Sequence, residues 1–207
     1  MNLMRRPLFN GHASATTLVR LATDASLARI EQALAAGDDF NRRMIREPRL
    51  TPLDAAVRAR QLDVIDLLLA NGIPITGSAV YEAVVGDCHA ALLLFHAHDP
   101  RYHARFADDD VLGSNPRLDR WLLRYTALDF ARALDAAGCA ALLEAHGADA
   151  ASFATRCPRG HYAPWLAAVP LVCFGAMHHE GVMDLASGVH CLRCNLFVRN
   201  STPLTRH

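Results

Sequence analysis

Lysine is absent: all 21 basic residues of this 207-residue chain are arginine. Two causes fit, a GC-rich genome or a protein working inside a host that tags lysines. Net charge is absent too, because 21 acidic residues balance the arginines. No global field therefore directs the chain to nucleic acid or an anionic membrane. Long apolar runs are missing. The longest, Ala163–Met177, is broken by Pro164 and Pro170, whereas a membrane-crossing helix needs about 20 apolar residues. Residues 1–13 contain Arg5, Arg6 and Pro7 but no apolar signal-peptide core, so a cytoplasmic location is expected. There is no Gly-rich phosphate loop, no serine nucleophile elbow and no His-Glu-x-x-His. His178–His179–Glu180 and Cys88–His89 are neighbours in sequence, and adjacent helical side chains diverge by about 100 degrees. Neither is expected to be a catalytic centre.

What is present begins at Thr51–Pro52–Leu53–Asp54–Ala55–Ala56, followed by Leu67–Leu68–Leu69 and Gly72. Thr126–Ala127–Leu128–Asp129–Phe130–Ala131 matches it, followed by Leu142–Leu143 and Gly147. Thr51 and Gly72 lie 21 positions apart, as do Thr126 and Gly147. Proline suits a first helical position, where it has no amide bond to lose. Small alanines allow close helix approach. Leu62, Ile65, Leu68 and Leu69 form an apolar stripe at helical spacing, and glycine suits the residue after a helix end. The pattern resembles the ankyrin repeat, a turn plus two helices with a T-P-L-H-x-A signature and a period near 33 residues. That resemblance implies a binding scaffold whose partners are set by surface residues.

The register exposes two weaker copies. One spans about Ser14 to Asn41, with Thr16–Thr17–Leu18 for the signature. The other spans about Ser78 to Asp99, with His98 or its neighbourhood in place of the terminal glycine. Four copies exceed the roughly three needed for a continuous core. The expected fold class is mainly α: a solenoid of about four ankyrin repeats over residues 1–151, with a small zinc-stabilised α+β module over 152–207.

Residues 38–50 occupy the finger position of such a stack and carry Arg42, Arg43, Arg46 and Arg49. They read as either a solvated loop or an anion-recognising edge. Thr126 follows Thr51 by 75 positions, about nine more than two periods require. The excess is placed in Asp99–Tyr125, which holds Tyr102, His103, Arg105, Phe106, the run Asp108–Asp109–Asp110, and Trp121 and Leu122 in a possible short helix from Arg117. Insertions in solenoids often sit on the binding face, and aromatic and arginine anchors suit interfaces. Plugging of the repeat core is the other reading. The candidate partner-binding set is Arg42, Arg43, Arg46, Tyr102, Arg105, Asp108, Asp109, Asp110 and Trp121.

After Ser152 the periodicity stops. Residues 156–207 hold four of the six cysteines, and without an export signal these point to reduced thiols or metal ligands rather than disulfides. Cys157–Pro158–Arg159–Gly160–His161 is separated by 29 residues from Cys191–Leu192–Arg193–Cys194. Each half is a ligand pair around a tight turn, and two pairs complete a tetrahedron, giving Cys157, His161, Cys191 and Cys194 around structural Zn2+. The layout resembles a zinc ribbon or knuckle, with Cys-x3-His where Cys-x2-Cys is commoner. His190, His178 and Cys173 are alternative fourth ligands. Leu171, Val172, Phe174, Val189 and Leu196–Val198 are available for short strands.

The expected function is a non-enzymatic scaffold or inhibitor that binds another protein, possible forms being a bacterial immunity or effector-type protein. The alternative is a nucleic-acid-linked regulator, since the tail carries Arg156, Arg159, Arg193, Arg199 and Arg206 against Glu180 and Asp184. A zinc hydrolase ranks below both, and no membrane partner is expected.

Overall fold

The computed structural model describes residues 12–44, 49–107, 125–150, 154–157, 159–170, 185–191, 193–194 and 196–199. These contain eight α-helices in four antiparallel pairs: α1 Ala15–Thr23 and α2 Leu27–Ala35, α3 Pro52–Arg58 and α4 Leu62–Ala70, α5 Gly77–Val85 and α6 His89–His98, α7 Ala127–Leu134 and α8 Ala137–Ala145. No described helix is long and apolar enough to cross a membrane.

The first helices of successive pairs pack on one another, α1 on α3, α3 on α5 and α5 on α7, while α4 packs on α6 and α6 on α8. One core runs through the stack, from Leu18 and Ile30 through Leu53, Ile65 and Leu68 to Phe95, Phe130 and Leu143. Leu62 departs from the expected stripe. It is the first residue of α4 and is exposed, and Val64 fills the inward position instead.

Local chemistry starts and ends each pair. Thr51 caps α3 through a reciprocal box, its hydroxyl accepting from the Asp54 amide while Asp54 accepts from the Thr51 amide. Ser14, Thr76 and Thr126 cap α1, α5 and α7 in the same way from the hydroxyl side. The third pair therefore starts at Thr76 rather than Ser78. Gly37, Gly72 and Gly147 close α2, α4 and α8 with φ of 78, 78 and 73 degrees. The third pair has no such glycine, and the chain leaves α6 through Asp99 in extended conformation. Within each pair the turn holds one non-glycine left-handed residue: Ala25, Arg60, Asp87 and Asp135.

Two ladders tie neighbouring pairs. On the side of the first-helix starts, the buried Asp54 carboxylate accepts from Ser78 Oγ at 2.9 Å and Thr76 Oγ1 at 3.4 Å. Along the intra-pair turns, Gln61 donates to the Thr23 carbonyl, Arg60 to the Gly86 carbonyl, and the Cys139 amide to Asp87. Arg58 adds a two-pronged bond to the buried Glu82 at 2.8 and 2.5 Å. Asp54→Ala removes half of the capping box and the shared acceptor of two hydroxyls, which keep their bond to each other, so a loss of about 2 kcal/mol is expected, read as a lowered urea midpoint at unchanged slope.

The insertion departs from expectation at its described ends. Tyr102–Ala107 is a 3-10 segment packed on α5 and α7. Tyr102, Phe106 and Tyr125 are 0, 1 and 2 % exposed. Tyr102 is therefore a core residue rather than a partner contact. The segment fills space beside Phe95 and Phe130, because aromatic rings bury more area inside the stack than a loop edge offers.

Tyr102 also meets a histidine seam between α6 and α8. The His96 and His146 rings stack at 3.7 Å and 9 degrees, and His146 Nδ1 lies 3.0 Å from the Tyr102 hydroxyl. Burial, then His96 and His103, hold the His146 pKa below the usual histidine value. The unfolded chain thus binds this proton more readily. The stabilising contribution is complete above about pH 6.5 and is lost as pH falls below it. The denaturation midpoint is expected to drop between pH 7.5 and 5.5, and to drop less in His146→Gln.

Beyond α8 the described residues form a four-stranded antiparallel sheet in the order β1-β2-β3-β4: β1 Ala154–Arg156, β2 Tyr162–Pro170, β3 Leu185–Cys191 and β4 Leu196–Arg199. The α+β expectation is corrected to β for the described residues of this module. Leu171, Val172 and Phe174, expected in strands, lie outside them.

Candidate metal centre

In an up-and-down meander the first and third turns fall at the same end of the sheet. The first turn here, between Arg156 and Tyr162, carries Cys157 and His161. The third, between Cys191 and Leu196, carries Cys194 and begins at Cys191. Strand order alone thus brings together two ligand pairs almost thirty residues apart. Gly160, at φ +82 degrees, supplies the left-handed residue of the first turn. The Cys157 amide donates to the His161 carbonyl at 2.9 Å and the Gly160 amide to the Cys157 carbonyl at 2.7 Å.

The four ligand atoms lie within 4.8 Å of one another. Cys157 Sγ is 3.8 Å from Cys194 Sγ and 3.7 Å from His161 Nδ1, which is 3.2 Å from Cys194 Sγ and 3.9 Å from Cys191 Sγ. A tetrahedral zinc with ordinary bond lengths needs ligand separations of about 3.8 Å between sulfurs and about 3.6 Å between sulfur and nitrogen. The separations bracket those values, so the cluster could bind a metal ion. Cys157 and Cys191 are buried, whereas Cys194 and His161 are half-buried. Burial pushes the Cys157 thiol up, but amide hydrogen bonds from Arg159 and His161, with help from Cys191 and Cys194, bring it below the usual thiol value. Burial and then its bonds to Cys191 and Cys157 push Cys194 up to about 11. Of the alternative ligands, Cys173 and His178 lie outside the described residues. His190 lies in β3, next to Cys191.

The ligand turns enclose a small apolar cluster. Among the described residues it is Cys157, Ala163 and Cys191, with Cys194 packed against it. The module's anchorage is on the last helix pair. Tyr162 packs against the stack core and its hydroxyl donates to the buried Asp129 carboxylate. Arg193 pairs with Asp135 at 2.6 Å, and Arg132 lies over the Tyr162 ring, 5.9 Å from its centroid.

The partner-binding candidates are scattered. Arg42 is exposed. Arg43 is half-buried and donates to Ser78 Oγ and the Arg49 carbonyl, which ties the finger loop to the third pair. Arg105 is exposed beside Asp99 at 3.6 Å. Arg46, Asp108, Asp109, Asp110 and Trp121 lie outside the described residues. Tyr162 and Asp135 carry no motif of their own. The equivalence of Asp129 to Asp54 in the two repeat motifs is a sequence signal that could have marked a partner beyond the last repeat.

No family model matches the chain, and no curated protein matches it. Among solved structures, the human ASB11 ankyrin repeat domain is similar at 16% identity and a TM-score of 0.36, over 64% of this chain and 69% of that one. The fold described above rests on the helix pairs themselves and not on that likeness.

Proposed function

We propose that this chain is a non-enzymatic protein-binding scaffold whose C-terminal module, stapled by a structural zinc, takes the place of a further repeat. One observation carries the capping role. Asp54 binds the hydroxyls of the next pair, and its counterpart Asp129 binds the Tyr162 hydroxyl of the module. Likewise Asp87 is bound by the next pair, and its counterpart Asp135 is bound by Arg193. The module thus reuses both inter-repeat ladders. The final repeat of a solenoid exposes an apolar side that needs cover, and a metal that ties two turns of the sheet together would hold that cover in place.

Zinc is supported by the gathering of three thiols and one imidazole within 4.8 Å, a donor set that suits it. Four protein ligands leave no open position for a reacting water, which supports a structural ion over a hydrolytic one. The partner is another protein, met by the exposed Arg42 and Arg105, with Arg46, Asp108, Asp109, Asp110 and Trp121 proposed as further contacts.

Affinity capture from the native cell tests the reading. The zinc-loaded protein is expected to retain one partner in stoichiometric amount, and an Arg42→Glu, Arg105→Glu double variant to retain much less. Zinc-dependent turnover of ester or peptide substrates by the purified protein would overturn it.

A further inference from the structure

A cavity of about 400 Å3 opens where the metal module meets the α7–α8 turn. It is lined by Ala136, Ala137 and Ala140 together with Arg132, Arg156 and Arg193, and by His161 and Asp135. Small side chains and hydrogen-bond donors around one cavity leave room for a small apolar body carrying an acceptor group.

The charges around the cavity specify that group. Arg193 is paired with Asp135 and Arg132 with Glu144, both at 2.6 Å. Arg156 is exposed, and its partner among the described residues is the neutral Gly160 carbonyl at 2.8 Å. Among those residues one guanidinium is therefore left without a counter-charge, which matches a monoanion better than a dianion. The planar fork of arginine fits a carboxylate. His161 turns Nδ1 toward the sulfurs, so Nε2 is the ring's remaining donor once a metal is bound there.

We infer that this cavity is a docking site for a peptide carboxylate, seated on Arg156 with a small side chain against the lining alanines. The inference deepens the scaffold reading by naming the chemistry of the segment that is taken. The carboxylate can be the free C-terminus of a peptide or an acidic side chain, and the two are separable by experiment.

The probes are acetyl-Ala-Ala with a free C-terminus, the same dipeptide as its amide, acetyl-Asp-Ala amide, and inorganic phosphate. Each is titrated into the full-length, zinc-loaded protein by calorimetry. At least one carboxylate probe is expected to bind at millimolar concentration or better, about tenfold tighter than the neutral amide. Preference for the free C-terminus or for the aspartate identifies the source. Arg156→Gln is expected to abolish the difference while zinc content and melting temperature stay unchanged. Equal binding of acid and amide, no binding of either acid, tighter binding of phosphate, or full binding by Arg156→Gln would each overturn the site. Partner capture by wild type that survives Arg156→Gln would remove this site from the interface and leave the scaffold reading standing.

Discussion

Replacing Leu68 by aspartate is expected to abolish cooperative folding of the helical stack. Leu68 is fully buried in α4, within the single core that connects all four pairs. A carboxylate there has no cation or donor in reach of an aliphatic site, and it must either ionise in an apolar medium or hold its proton at a raised pKa. Loss of the leucine adds a cavity. Each term costs several kcal/mol, and their sum rivals the roughly 5–15 kcal/mol by which a whole domain is stable. Each pair also depends on its neighbours for burial, so damage in the second pair uncovers faces of the first and third. Circular dichroism should show a large loss of helix at 25 °C and no sigmoidal melt. A variant that remained helical and melted cooperatively would mean that α4 does not pack as described. Leu62→Asp is the control. Leu62 is already 39 % exposed, so this change should move the melt by well under about 1 kcal/mol.

Replacing Cys191 by serine is the second large effect expected. Wild-type protein should carry about one zinc per molecule, and the variant none. Cys191 is 1 % exposed and begins the turn that also carries Cys194. Its thiolate supplies a short bond that a serine hydroxyl does not replace at neutral pH. Structural zinc sites contribute apparent binding energies on the order of 10 kcal/mol, which become folding energy of the module they close. Without the ion the two ligand turns lose their link, and the β-sheet is expected to come apart. The stack should keep most of its helix but lose stability, because Asp129 then loses Tyr162 and Asp135 loses Arg193. A lower melting temperature with nearly unchanged helical signal is the expected pair of readings, and chelation of wild type should reproduce it. Metal analysis showing no zinc in wild-type protein would rule out the site. Zinc loss with no change in the stack's melt would separate the metal from the capping role.

The helix pairs were legible because their signals are local. Thr51, Pro52 and Asp54 mark a helix start wherever they fall, and Gly72 marks an end. Repetition at Thr126 and Gly147 made the register unambiguous. The third pair was harder to bound, since Asp99 ends it without a glycine and Thr76 precedes the expected start. The left-handed positions in the turns within each pair were not legible. Gly86 invites that assignment, yet the positive φ belongs to Asp87. Tyr102 was misplaced for a related reason. Periodicity ends before it, and an aromatic side chain in an aperiodic segment looks the same whether it anchors a partner or plugs a gap.

The metal ligands are a mixed case. Two short motifs, Cys-x3-His and Cys-x2-Cys, are visible as ligand pairs because each needs only one tight turn. Their convergence is a property of the sheet, which sets both turns at one end. From the residues alone follow the repeat unit, its count, its caps and the chemical nature of the four ligands, because capping, helical spacing and ligand softness act over a few residues. Tertiary structure alone decided that Tyr102 belongs to the core, that Asp129 and Asp135 reach the module, and that an arginine-lined cavity lies between the module and the last pair. Those outcomes depend on which surfaces meet across long separations in sequence, and burial and charge pairing act on distance in space, for which sequence order has no measure.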